Sequence, residues 1–421
     1  MARQFDVPEF YRSEVVSRVK AARREADPRK KDLEPSVLDF GALRVRLARH
    51  FGFCFGVENA IEIAYKALDE HPGKAAAGRV FLLSEMIHNP HVNEDLQARG
   101  VRFLRTTTGE QLIPFDELAA DDLVIIPAFG APTDVMDELA ARGIDPTTYD
   151  TTCPFVVRVW KKSATVGKKG HTIVVHGKRT HEETKATISR AKQSAPVIVV
   201  RDMAEAEDLA AVIAGEQNDD FLQARFHDRM TAGFSVADLE RIGVVNQTTM
   251  LATETAEIAE RLRQAIVERD GDDRNVADTS DTLCYATKEN QDATLSLIES
   301  VEDGRATIAL VVGGYNSSNT SHLVELCEEA GLPTYFVRDA DELVSPQEIH
   351  HFDWRVKEDR VSYDWLPLSA WQNDRQPVDV LLTAGASCPD ALLDGVIRRL
   401  LEWFPEARSV EDAIAPFETA A

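Results

Sequence analysis

Thr307-Ile308-Ala309-Leu310-Val311-Val312-Gly313-Gly314-Tyr315-Asn316-Ser317-Ser318-Asn319-Thr320-Ser321 carries the clearest signature of this chain's architecture. Its first six residues form a short apolar run of the kind that becomes a buried strand. A glycine pair follows, then hydroxyls and amides, then a helical pattern over 321–330. A strand that turns sharply into a helix is the repeating step of an α/β sheet. The turn also has the chemistry of an anion cradle, with backbone amides at a helix start and neutral donors around them. It lacks the G-x-x-x-x-G-K-[ST] spacing, which disfavours a nucleotide triphosphatase. An ordinary N-capped loop is the plainer alternative, and pattern alone leaves both open.

The same step recurs outward in both directions. Apolar runs that read as strands lie at 44–48, 80–83, 123–127, 172–175, 197–200, 242–245, 307–312, 334–337 and 380–383. Helical patterns fall between them at 57–68, 134–142, 156–169, 253–269, 291–301, 321–330 and 389–403. The expectation is an α/β protein with three similar α/β lobes arranged pseudo-threefold: 43–152, 153–280 and 281–421. Residues 1–42 read as an N-terminal extension, partly helical over 9–24 and loose over 28–35. Two stretches fit less well: 219–234 reads as an inserted loop or short helices, and 350–374, rich in Trp, Asp and Arg, as a second excursion. No period of 20–50 residues marks a solenoid.

The formal net charge is −24, and no basic stripe with aromatics accompanies it, so a nucleic-acid partner is not expected. No apolar run reaches the ~18 residues of a membrane span. Five cysteines, an odd number, with nothing resembling a secretory signal, read as reduced thiols of a cytoplasmic protein.

Three of those cysteines share an unusual setting. Cys54 stands in His50-Phe51-Gly52-Phe53-Cys54-Phe55-Gly56-Val57, Cys153 in Asp150-Thr151-Thr152-Cys153-Pro154, and Cys284 in Asp281-Thr282-Leu283-Cys284-Tyr285-Ala286-Thr287. Each falls at a strand end or a helix start, where a thiol ionises more readily. A buried structural cysteine in a glycine-rich turn is the plainer account of Cys54 alone. Two D-T-x-C steps and a G-F-C-x-G in one chain point further, to thiolates that converge on a metal centre. Four thiolates would close an iron–sulfur cluster for electron transfer, whereas three leave one iron open as a Lewis acid. Zinc with three Cys and a His is the rival, though no C-x2–4-C pair is present. Cys327 and Cys388 lack this setting.

Polar clusters follow several of the apolar runs. These are Ile87-His88-Asn89-Pro90-His91, His176-Gly177-Lys178-Arg179-Thr180-His181-Glu182-Glu183-Thr184, Asn246-Gln247-Thr248-Thr249 and Ala384-Gly385-Ala386-Ser387-Cys388-Pro389-Asp390. Strand ends are where α/β sheets place their ligands. Imidazole beside carboxylate can bind a diphosphate and relay protons; solvated surface is the alternative for a lone His-Glu pair.

These motifs, in register from Leu43 to Leu401, resemble the 4-hydroxy-3-methylbut-2-enyl diphosphate reductase family (LytB/IspH). The Pro127-Ala128-Phe129-Gly130-Ala131 run, the HGK…HEET form and the N-terminal extension are similar to its cyanobacterial and plastid branch. The resemblance implies reductive dehydroxylation of an allylic diphosphate to isopentenyl and dimethylallyl diphosphate, the last step of the non-mevalonate pathway. It implies a [4Fe–4S] cluster on Cys54, Cys153 and Cys284, whose unligated iron takes the substrate's C4 hydroxyl. His88, His181, Ser317, Ser318, Asn319 and Ser387 would contact the diphosphate. Thr248 would sit beside the substrate and Glu183 would donate the proton. Glu182 stands where many members have proline and receives no role. Phe129 stands where many bacterial members have a histidine, so one diphosphate contact is absent. Ferredoxin or flavodoxin would supply electrons, with Lys161, Lys162, Lys168 and Lys169 as candidate docking charges; a solvated helix face is the alternative. A cluster-containing redox or metal sensor without turnover is the competing class. Phe129 favours it, and the retained Glu183 and Thr248 oppose it. A zinc hydrolase of phosphate esters is a third.

Overall fold

A computed structural model describes residues 5–279, 282–302 and 305–419. Asp281 of the third cysteine motif lies outside the described residues. The chain divides into two units. One comprises the chain up to Glu58, His88–Pro90 and everything from Tyr285 onward; the other comprises Asn59–Ile87 and His91–Cys284.

The first unit is built on a five-stranded sheet. Its strands lie in the order Ser36–Asp39, Leu43–Leu47, Val378–Ala384, Thr307–Val312, Thr334–Val337. All neighbours are parallel except the edge strand Ser36–Asp39, which runs antiparallel to Leu43–Leu47. Val378–Ala384 is buried at every position, which is why it reads as an unbroken apolar run rather than an alternating one. Asp379 is the exception in composition. It lies opposite Arg44 in the ladder, fully buried, and accepts from Arg44 Nε at 2.7 Å and from an Arg46 guanidinium nitrogen at 3.2 Å. Arg46 also donates to Glu302 at 2.7 Å.

The N-terminal stretch is part of this unit rather than an appendage to it. The helix Glu14–Ala26 packs on Asp390–Leu401 and Val410–Thr419, and its Val15, Val16 and Val19 join Leu38 and Phe40 in the core of the sheet. The stretch 350–374, expected as an excursion, begins inside a small antiparallel sheet. Glu348–Asp353 pairs with Leu343–Ser345 and Glu358–Tyr363, and a short helix, Leu368–Asp374, follows. Phe352 anchors the small sheet by stacking on Tyr315, with ring centres 4.3 Å apart.

The second unit holds two parallel three-stranded sheets. One has the order Val101–Phe103, Val80–Leu82, Leu123–Ile125; the other Val197–Val200, Thr172–His176, Ile242–Asn246. In the latter, alternate residues face opposite cores, as the pleat requires. Val174, Ile198 and Val244 pack with Leu209, Ile258 and Leu262 of the helices Met203–Ile213 and Ala252–Asp270. Ile173, Val175, Val199 and Val245 pack instead with Val159 of the helix Pro154–Gly167 and Ala191 of Glu182–Ala191. The stretch 219–234 contains one short helix, Asp219–Phe226. All nine expected strands are present, and the α/β class holds. No helix among the described residues is long and apolar enough to cross a membrane.

Asp379 gives a test of the first unit. Asp379→Ala leaves Arg44 and Arg46 with the half-exposed Glu302 as their remaining carboxylate partner among the described residues, and removing one partner of a buried ion pair costs about 3 kcal/mol or more. Urea unfolding followed by tryptophan fluorescence reports on it, because Trp354, Trp365, Trp371 and Trp403 of the five tryptophans belong to this unit. A change within the ~0.5 kcal/mol typical of surface substitutions contradicts the assignment.

Candidate functional site

Within the second unit, the polar turns after two neighbouring strands meet. Thr172–His176 and Ile242–Asn246 are paired in register, His176 opposite Asn246, so the segments that leave them stay side by side. Gln247 fastens the two. Its amide donates to His176 O at 2.8 Å, and its side-chain oxygen accepts from Lys178 N at 3.0 Å and Thr184 Oγ1 at 3.1 Å. This brings Thr248 onto Glu183. Thr248 N donates to Glu183 Oε1 at 2.6 Å and Thr248 Oγ1 to Oε2 at 2.8 Å. Glu183 is 1% exposed. Burial pushes its carboxyl up to about 7, against the two Thr248 bonds, which favour the ionised form. Burial likewise pushes Glu182 up to about 8.

His181 caps the helix Glu182–Ala191, its Nδ1 accepting from Glu183 N at 3.2 Å. A ring that accepts at Nδ1 carries its proton at Nε2 and presents that nitrogen as a donor. Phe129 meets the His181 ring edge-on, with centres 5.6 Å apart and planes at 84°. Phe129 thus places an aromatic wall against this imidazole.

Each cysteine of the three motifs stands at the start of a helix. Cys153 is the N-cap of Pro154–Gly167, and its backbone N–H is tied to Ala128 O at 2.9 Å. Cys284 directly precedes Tyr285–Glu299; the turn before it is tied down by Thr282 Oγ1, which donates to Asn246 Oδ1 at 2.9 Å. Cys54, in the first unit, directly precedes Phe55–Glu70, and its N–H donates to Ala386 O at 3.1 Å. The other two cysteines are of a different kind. Burial pushes the Cys327 thiol up to about 12 and holds the Cys388 thiol well above its ordinary range, so both stay protonated. Three thiols at helix starts and two inert ones in a core form a donor set that suits iron and sulfide. Among the described residues no three His, Cys, Asp or Glu side chains gather as they would around one metal ion. A four-iron cluster takes its thiolates one per iron, over a wider span than a single ion requires.

The first unit carries the neutral donors. Ser317 caps the helix Ser318–Glu329, its Oγ accepting from Thr320 N at 3.2 Å. Asn319 Oδ1 accepts from Ala386 N at 2.7 Å, and Ser387 Oγ donates to His88 O at 3.1 Å. The turns after Thr307–Val312 and Val378–Ala384 and the His88-Asn89 turn are thus brought together. Their approach is close enough that a Cβ on Gly314 would stand 2.3 Å from His88 O. His88, Ser317, Ser318, Asn319 and Ser387 are all buried. Asn319 Nδ2, Thr320 Oγ1 and both polar atoms of the Asn89 amide are buried without a protein partner. Buried donors of this kind demand a ligand or ordered water. Asn89 and Thr320 were inside quoted motifs, but nothing in the residue types separated them from capping residues.

A family model described as LytB protein matches residues 45–401. The chain belongs to the LytB protein family. Curated relatives agree. It is 39% identical over 369 residues to the 4-hydroxy-3-methylbut-2-enyl diphosphate reductase of Gloeobacter violaceus, covering 86% of this chain and 83% of that one. It is 37% identical over 368 residues to the Synechocystis protein of the same name, covering 86% and 91%. A solved structure of the E-1-hydroxy-2-methyl-but-2-enyl-4-diphosphate reductase from Plasmodium falciparum shares the fold, with a TM-score of 0.57 and 18% identity over 84% of this chain and 86% of that one. Within this LytB fold, the geometry joins Glu183, Thr248 and His181 in the second unit and His88, Ser317, Asn319 and Ser387 in the first.

The proton affinity of Glu183 is directly measurable. Its carboxyl infrared band, identified by its loss in Glu183→Gln, should titrate near pH 7. Thr248→Val removes one bond to the ionised form and should raise the midpoint by about one unit. A wild-type midpoint between pH 4 and 5 contradicts the burial argument.

Proposed function

We propose that this LytB chain reduces (E)-4-hydroxy-3-methylbut-2-enyl diphosphate to isopentenyl and dimethylallyl diphosphate, with an iron–sulfur cluster held by Cys54, Cys153 and Cys284. The observation that carries the proposal is the buried Glu183 carboxyl, gripped by Thr248 and protonated near neutral pH, in a chain whose curated relatives bear that enzyme name. A sensor without turnover has no use for such an acid, and Glu183 favours the reductase over that alternative.

The reaction takes up two electrons and two protons and releases one water. When bound, a [4Fe–4S] cluster with three protein thiolates supplies single electrons and a Lewis-acidic iron. The protein supplies the rest. Ser317, Ser318, Asn319 and Ser387, with His88 and the Nε2–H of His181, take the diphosphate. Serine and amide donors at the start of Ser318–Glu329 suit an anion without needing lysine. Glu183 holds a proton that departs with the hydroxyl as water. Once it has given that proton up, its two Thr248 bonds become charge-assisted and steady the carboxylate. Phe129 closes one flank of His181. A small acidic electron donor of the ferredoxin or flavodoxin kind finds exposed positive charge at Lys161, Lys168 and Lys169, on and just after the helix that begins beyond Cys153, with Lys162 half-buried among them. Under this proposal the chain acts in the cytoplasm, a compartment that keeps thiols reduced.

Anaerobic turnover with dithionite-reduced viologen tests it: oxidation of the dye should depend on the diphosphate. Glu183→Gln should lower kcat at least ~100-fold, the scale of a general acid, with iron and sulfide content unchanged. Cys153→Ser should lose the cluster instead. Because Glu183 must be protonated to act, the rate should fall as pH rises through about 7. A rate that stays level from pH 6 to 9, or a Glu183→Gln variant near wild-type turnover, removes Glu183 from the mechanism.

A further inference from the structure

The segment ahead of the first long helix contains little regular structure, yet it is buried. Phe5, Val7 and Tyr11 are 6%, 6% and 5% exposed. Its rings dock on one place, the loop that carries Cys54. Phe5 packs edge-on against Phe55, with ring centres 4.9 Å apart and planes at 79°. Tyr11 packs edge-on against Phe53 at 5.7 Å and 71°. Lys20, on the helix Glu14–Ala26, places Nζ 4.2 Å from the centre of the Phe51 ring, donates to Phe51 O at 2.9 Å and pairs with Asp390 at 2.6 Å. Gly52 has a φ of +76°, and a Cβ there would stand 2.5 Å from Asp390 Oδ1 and 3.1 Å from Lys20 Nζ. All three aromatic residues of the loop are therefore held by N-terminal residues. Cys54 lies between two of them, and its own N–H is fixed from the other side by Ala386 O.

We propose that residues 5–11 and Lys20 form a clamp that positions the Cys54 thiol as a cluster ligand. The inference rests on the cluster assignment above. A thiolate on a free loop can swing away from its iron, and each excursion opens the centre to water and oxidant. Two aromatic pairs and a cation–π contact, each weak alone, act together on a loop of five residues. They convert it from a glycine-flanked hinge into a fixed arm. Phe5, Tyr11 and Lys20 are positioning residues: they touch the loop and act through Cys54.

The test compares full-length wild type with Phe5→Ala/Tyr11→Ala in two measurements. Hydrogen exchange on the apoprotein reads the clamp without any cluster. Amides of residues 50–56 should exchange roughly tenfold faster in the variant, with the strands Thr307–Val312 and Val378–Ala384 unchanged. After anaerobic reconstitution, cluster absorbance should decay in air roughly tenfold faster in the variant, from the same initial iron and sulfide content. If 50–56 exchange and cluster decay match wild type, the clamp is overturned. If the control strands also exchange faster, Phe5→Leu, which keeps the apolar volume but removes the ring, decides. Faster exchange confined to 50–56 supports the clamp, and unchanged exchange overturns it. A wild type that binds no iron or sulfide rejects the cluster assignment, while the exchange measurement still judges the clamp on its own.

Discussion

A carboxylic acid that is to give up a proton near neutral pH must be kept from losing it early, and the means available is to take it out of water. Glu183 is held in this way. Burial raises its proton affinity, and Thr248 limits the rise by bonding both oxygens. The balance depends on geometry set elsewhere. Glu183 is in the first turn of its helix because His181 caps that helix, and Thr248 reaches it because Gln247 ties the two strand ends together. A parallel pair with the register His176 opposite Asn246 is the foundation of both. Remove that register and the acid is simply a glutamate at the surface of an already acidic protein.

The first unit solves a complementary problem. The chain carries a net charge of −24, and a diphosphate brings more negative charge. Under the proposed function, long-range attraction would not recruit such a ligand; short-range donors would. The turn at Gly314 comes within contact of the His88 carbonyl, and Asn89, Asn319 and Thr320 nearby keep buried polar atoms that no protein group satisfies. Such groups are costly to bury and stay in the fold because something else completes them.

Much of this was legible beforehand because parallel strands advertise themselves. Runs such as Val197–Val200 and Val378–Ala384 are apolar at nearly every position, and a polar turn after each is a place for chemistry. What was not legible follows from the same physics. Ser36–Asp39 is an edge strand with an alternating burial pattern, and Val101–Phe103 has only three residues; neither makes a run. The Glu348–Asp353 and Glu358–Tyr363 hairpin carries so many charged side chains that it resembles a loop, and its anchoring, by Tyr315 and Phe336 on Phe352, Tyr335 on His351 and Ile349 in the core, shows only in the fold. Helix Glu182–Ala191 has no apolar stripe to read, because its buried face carries Glu183, Thr184, Thr187 and Ser189. At the site, residue types marked the clusters around His181 and Gln247 and the family resemblance singled out Glu183 and Thr248, but their mutual contact, the raised proton affinity and the orphan amide of Asn89 are properties of the fold.

The order of strands in the five-stranded sheet has a consequence for synthesis. Leu43–Leu47 emerges from the ribosome long before its parallel partner Val378–Ala384; Arg44 and Asp379, which meet across that seam, are 335 residues apart. The second unit, lying between them in the chain, is complete while the first still exposes an apolar strand with only its Ser36–Asp39 neighbour. Folding of this protein is thus late-closing, and its nascent form has a long interval in which chaperone capture or misassociation competes with the final strand insertion.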